Sequence, residues 1–196
     1  MSKTKANVSY YPPGEGINPG HLSSGDIILT RRTDALMGKL INLFDRGFYC
    51  HAAVAYKDGG IITESLEWGV EVEDIEKYKE DYHYAVVQLY ASKDQMLSIR
   101  DFIHSVVYSS TNRYGYLIIA SLAISILTKH KLNFGAGVGT RICSGFAAET
   151  ATRAGYIFDK PPAYMTPGDL VKFFEVNQPT YYMALEHKQR TGEIHA

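Results

Sequence analysis

Between residues 49 and 90 three segments of strand character follow one another, about Tyr49–Tyr56, Gly60–Leu66 and His83–Tyr90, and Lys57-Asp58-Gly59-Gly60 joins the first two. Asp-Gly between apolar runs is a strong hairpin signal, because the tight turns that match strand twist need residues tolerant of positive φ. An antiparallel sheet therefore stands at the centre of the chain, and the other elements must pack around it. Asp26–Thr30 (DIILT) reads as a further short buried strand.

Helical patterns flank this sheet. Leu36, Met37, Leu40, Ile41, Leu43 and Phe44 recur at helical spacing between a Thr33 or Asp34 N-cap and Gly47. A second amphipathic helix is expected over Lys93–Ser109, with Met96, Ile99, Phe102, Ile103, Val106 and Val107 on one face, and an apolar helix near Tyr116–Thr128. A glycine-rich loop, Phe134–Thr140, leads into ICSGFAAETATRAG, a helix that stops at Gly155. Thr166-Pro167 is an N-cap followed by proline in the first turn, opening a helix through Phe174, and Thr180–Leu185 is a candidate last strand. Helices on both sides of a run of strands predict an α+β fold.

Composition narrows the reading further. The 196 residues, 45% hydrophobic and 21% charged, suit one globular domain. Pro12, Pro13, Pro19 and the glycines among them mark residues 1–24 as a loosely ordered N-terminal lead-in, leaving 25–196 as the domain. With 20 basic and 21 acidic residues there is no electrostatic footprint for nucleic acid. Two cysteines, Cys50 and Cys143, make no disulfide framework, and no apolar run follows the N-terminal lysines, so a cytoplasmic, reduced setting is expected. The longest apolar stretch, Leu117–Leu127, is about half of the roughly 20 residues a membrane-spanning helix needs, and no integral membrane segment is expected. Nothing in the sequence specifies an oligomeric state.

The chemistry concentrates at Cys143. It lies between a glycine-rich loop and the start of a helix, two residues after Arg141. Helix N-terminal amides and a nearby cation both favour thiolate over thiol, and the backbone N–H groups of Cys143 and Ser144 are placed to form an oxyanion hole. Buried packing is the other role open to such a cysteine. A thiolate acting on an acyl group needs a general base, and His51 stands out among the seven histidines because it enters a small, apolar strand, HAAVAY. Alternation puts His51, Ala53 and Ala55 on one face and Cys50, Ala52 and Val54 on the other, which makes Cys50 a core residue. The alanines beside His51 leave room for the cysteine helix to approach.

Hairpin register supplies a third member. A two-residue Asp58-Gly59 turn, or a four-residue loop, pairs Ala53 with Glu64 and makes Glu64 the diagonal neighbour of His51; a three-residue loop turns Glu64 to the other face. Glu67 and Glu71 compete for the place. A carboxylate on the far nitrogen of His51 would hold its tautomer and stabilise the imidazolium. The bland alternatives are a half-buried structural histidine and an exposed strand carboxylate.

Other signals carry less. Gly135, Gly137 and Gly139 form GxGxG, which is not a dinucleotide fingerprint, so no cofactor is expected. Cys50, His51 and Cys143 lack metal-ligand spacing, so no metal is expected, and the absence of C-x-x-C argues against a redox thiol protein.

The succession GDIILTR, CHAAVAYKDGG, ITESLEWGVEVEDIEKY, RICSGFAAE and TPGDL resembles the permuted branch of the NlpC-type papain-like peptidases, related to lecithin retinol acyltransferase. The match covers about residues 25–175. It implies a circularly permuted papain-like fold with a central antiparallel sheet or partial barrel, Cys143 as nucleophile, His51 as base and Glu64 as polar third member. Tyr164, just before TPGDL, and Thr166 are implied to approach the site and bind substrate. The expected activity is cysteine-dependent cleavage of an amide bond in a small peptide, amino-acid amide or cell-wall-derived fragment through an acyl-thioester. The alternatives are a thiol acyltransferase or thioesterase acting on a lipid acyl group, and an inactive small-ligand-binding module.

Overall fold

A computed structural model describes residues 6–32, 48–66, 69–108 and 143–176. The expected helices at 34–47 and 116–128, the glycine-rich loop, Arg141, Glu67 and the last strand lie outside these residues.

Six strands form one antiparallel sheet: β1 (Asn7–Tyr11), β2 (Ile27–Arg32), β3 (His51–Lys57), β4 (Ile61–Leu66), β5 (Gly69–Asp74) and β6 (Tyr82–Gln88), in the order β1-β6-β2-β3-β4-β5. Among the described residues the sheet is open and does not close into a barrel. Three helices complete the described fold: α1 (Lys93–Val107), α2 (Cys143–Arg153) and α3 (Pro167–Phe173). The α+β expectation holds at this level. None of the described helices is long and apolar enough to cross a membrane.

The central strands are apolar on both faces because both are covered, one by helices and the other by the N-terminal segment and the 3-10 turn Ile75–Tyr78. Ile27, Leu29, Ala52, Val54, Ala85 and Val87 meet Ile99, Phe102, Ile103 and Val106 of α1 and Phe146, Ala147, Ala148 and Ala151 of α2. Burying a side chain of Ile or Phe size contributes about 1.5–3 kcal/mol. On the opposite face Ile28, Ala53, Ala55, Ile62 and Val86 meet Ile17, Leu22, Ile75 and Tyr78.

Two expectations are corrected here. Residues 7–11, inside the stretch read as a loose lead-in, pair along their whole length with β6, and Ile17 and Leu22 are buried under the sheet. The prolines and glycines that suggested a wandering chain instead route it from the sheet edge across its second face. The cysteine helix, moreover, packs on the Ala52 and Val54 face rather than the Ala53 and Ala55 face. Cys143 therefore approaches His51 where β3 begins, not across the alanines that follow it.

The β3–β4 register is the one that Glu64 requires, reached by a different route. Ala53 pairs with Glu64 and Ala55 with Ile62, but Lys57 pairs with Ile61, so the tip is a three-residue Asp58-Gly59-Gly60 connection. A bulge between Ala55 and Lys57 absorbs the extra residue and restores the faces. Gly60 has φ +95°, and a Cβ there would stand 2.9 Å from Pro19 Cβ, so both conformation and space call for glycine. Asp26 ties the start of β2 to the end of β6: its carboxylate accepts Ser23 N–H at 2.9 Å and Leu89 N–H at 3.1 Å. Burial pushes its pKa up to about 6.

Candidate active site

Three elements bring Cys143, His51 and Glu64 together. Cys143 is the first residue of α2, His51 the first of β3, and Glu64 lies in the middle of β4. Because Glu64 pairs with Ala53, it is the diagonal neighbour of His51, and Nε2 of His51 stands 3.1 Å from Oε1 of Glu64. That contact fixes the proton on Nε2 and leaves Nδ1 as the ring nitrogen available to the sulfur. The Cys143 and His51 side chains are hydrogen-bonded, and the N–H groups of Ala52 and Ser144 also bond the sulfur.

The electrostatics follow from this packing. Burial alone would hold Cys143 as a thiol, but the adjoining His51 charge and hydrogen bond, with the two backbone N–H groups, bring its pKa below the usual thiol value. For His51 burial opposes the charge, yet Cys143 and then Glu64 outweigh it and raise the imidazole to about 10. Glu64 is 2% exposed; burial would raise its pKa, and His51, Lys77 and Tyr78 instead bring it to about 2. These shifts all favour the thiolate–imidazolium form of the pair, with an ionised carboxylate behind it.

The first turn of α2 is anchored as well as polarised. Ser144 is buried, and its hydroxyl donates to the carbonyl of Met165 at 2.6 Å, clamping the helix start to the segment before α3. Its N–H, one of the two expected oxyanion donors, points at the sulfur in this resting state.

The implied substrate-binding residues are placed as follows. Tyr164 ends the 3-10 turn Pro162–Tyr164, 44% exposed, immediately before the Met165 carbonyl that receives Ser144. Thr166 is the N-cap of α3: its hydroxyl accepts Asp169 N–H at 3.2 Å and its own N–H donates to Asp169 Oδ2 at 2.7 Å, a complete capping box, and the hydroxyl also donates to Oδ2 at 2.8 Å. Its polar atoms are thus engaged in holding the helix. Thr166→Ala is expected to lower stability by about 1 kcal/mol, measured by urea unfolding, and a change within error would show that the cap contributes little.

Cys50 is buried, and its thiol lies 3.7 Å from the carbonyl of Thr30. Burial, reinforced by the charge at Cys143, pushes it up to about 11, so it is the inert thiol of the two. Two site residues escaped the sequence reading, Lys77 and Tyr78, both of which donate to Glu64. Glu71, a competitor for the third place, pairs directly with Glu64 across β4 and β5. Among the described residues no group of three or more His, Cys, Asp or Glu side chains is arranged to hold a metal. A shallow groove of about 370 Å³ lies at the other end of α2, lined by Thr152, Tyr156, Phe158 and Pro161. An 11-residue helix is about 16 Å long, which separates that groove from the sulfur chemistry.

No protein-family profile matches the chain, and no curated protein matches it either.

Proposed function

We propose that the chain is a cysteine-dependent hydrolase that cleaves an amide bond in a small peptide, amino-acid amide or cell-wall-derived fragment, built on a permuted papain-like plan of the NlpC type. The observation that carries this reading is the continuous contact from Cys143 through His51 to the buried Glu64, with the sulfur at a helix N-terminus. Two free cysteines suit a cytoplasmic setting.

The chemistry follows from these groups. The Cys143 thiolate attacks the amide carbonyl, and backbone N–H groups at the start of α2 receive the developing oxyanion. As the tetrahedral intermediate collapses, imidazolium His51 gives its proton to the leaving nitrogen, and an amine departs from an acyl-thioester. Neutral His51 then takes a proton from water as its oxygen attacks the thioester. Release of the acid regenerates thiolate and imidazolium. Glu64 keeps the ring oriented through both half-reactions and stabilises its charged form.

The test is the pH dependence of iodoacetamide alkylation at each cysteine, followed by peptide mass spectrometry in the wild type and in His51→Ala. At pH 6 a thiol with the reference pKa of ~8.5 is almost wholly protonated, so a paired Cys143 should react at least about tenfold faster than its His51→Ala counterpart. Cys50 should be inert throughout. A Cys143 that titrates like a free thiol, with or without His51, would leave a ligand-binding module as the better reading.

A further inference from the structure

Glu64 has more donors than the orientation of one histidine requires. Oε1 accepts from His51 Nε2 at 3.1 Å and from the Tyr78 hydroxyl, and Oε2 accepts from the Lys77 ammonium. Lys77 and Tyr78 both come from the 3-10 turn Ile75–Tyr78, which runs from β5 back towards the sheet. That turn is secured at its start: Asp74 accepts Glu76 N–H at 2.9 Å, and Ile75 N–H donates to the Gly60 carbonyl at 2.9 Å. The Tyr78 ring is buried against Tyr82 and Tyr84, with centroids 4.9 and 6.0 Å away. Lys77 is partly exposed and reaches the carboxylate from the rim.

A buried carboxylate with a single cationic partner concentrates its charge on that partner. Here a second cation and a phenol take a share, and they bracket both oxygens so that the carboxylate cannot rotate. We infer that Lys77 and Tyr78 are positioning residues that orient Glu64 and divide its charge, setting the pH range in which Cys143 and His51 coexist as thiolate and imidazolium. This rests on the hydrolase reading above and adds to it the groups that tune its base.

The direction of the effect follows from charge. Without the Lys77 ammonium, the full Glu64 charge acts on its surroundings: imidazolium is favoured more, and the nearby thiolate less. Both limits of the ion-pair window then move to higher pH. Removing the Tyr78 hydroxyl acts in the same sense, and less strongly because a neutral donor is lost. Among the described residues the other titratable groups in reach are Glu73 and Tyr82 beside Lys77, Glu71 opposite Glu64, and Cys50 and Tyr78 beside Cys143. All of them stay in place when Lys77 alone is changed.

The experiment records Cys143 alkylation against pH for the full chain and for Lys77→Met, Lys77→Arg and Tyr78→Phe, with a thermal melt of each. The lower inflection should rise by about half to one pH unit in Lys77→Met, remain near the wild type in Lys77→Arg, and rise by less in Tyr78→Phe. A purely structural role would lower the melting temperature and leave the inflection where it was. An inflection unmoved in Lys77→Met or in Tyr78→Phe removes that residue from the role, and a displacement in Lys77→Arg equal to that in Lys77→Met overturns charge division. If the wild type itself has no low-pH inflection, the ion pair is absent and the hydrolase reading fails first, taking this inference with it.

Discussion

Cys143→Ala is expected to reduce kcat/KM for amide hydrolysis by about 10⁴-fold or more, His51→Ala by a comparable factor, and the double variant no further. The non-additivity is the informative part. Sulfur and imidazole are hydrogen-bonded and stabilise each other's charged forms. Removing His51 leaves a half-buried thiol without a base, while removing Cys143 leaves a base with no nucleophile to serve; either loss disables the same step. Initial rates on the best substrate from a panel of aminoacyl and dipeptidyl amides give the comparison. Turnover within tenfold of wild type in Cys143→Ala would sink the nucleophile assignment. Multiplying losses in the double variant would mean that His51 contributes by a route independent of the sulfur.

The site was legible in the sequence where it depends on local pattern. His51 stood out because a polar ring in HAAVAY has to be accounted for, and Glu64 followed from counting residues back from the hairpin. Counting succeeded through compensation: the three-residue tip shifts the register by one, and the bulge before Lys57 shifts it back. The helices over Lys93–Val107, Cys143–Arg153 and Pro167–Phe173 were equally readable, since caps and apolar periodicity are local properties.

What depends on distant packing was not readable. NVSYY has strand alternation, but its partner in β6 is some 75 residues away, and the prolines that follow it dominate the local signal. GVEVED is the exception, since it alternates and its partner β4 ends only three residues before it. Which face of β3 the cysteine helix would cover could not be told from alternation, because both faces are apolar and each finds a cover. Lys77 and Tyr78 are adjacent in EDIEKY, and nothing in that string says that a 3-10 turn will aim both at a carboxylate 13 and 14 residues earlier. The β4–β5 register, which pairs Glu64 with Glu71 and Ile61 with Asp74, is what brings the turn back towards Glu64.

The largest stability effect is expected at Glu64. Glu64→Ala removes the shared partner of an imidazolium, an ammonium and a phenol; the about 3–5 kcal/mol lost on breaking a fully buried ion pair from one side is an upper bound here, because the His51 and Lys77 side chains left behind are 23% and 31% exposed. His51 then relieves the strain by giving up its proton, which deprives Cys143 of its counterion, so lost stability and lost low-pH reactivity should appear together. The pH dependence separates this from a simple cavity. The Glu64 pKa falls on folding from an ordinary 4.5 to about 2, so its contribution is fully present above pH 4.5 and is lost as pH falls through 2. The His51 pKa rises from 6.5 to about 10, so its contribution is complete below pH 6.5 and is lost as pH rises through 10. Urea unfolding of wild type and Glu64→Ala at pH 6.5 and pH 2.5 should therefore show a large gap at the first pH and a much smaller one at the second. An equal gap at both would assign the loss to missing side-chain volume, and Glu64 would then be a packing residue with no electrostatic hold on His51.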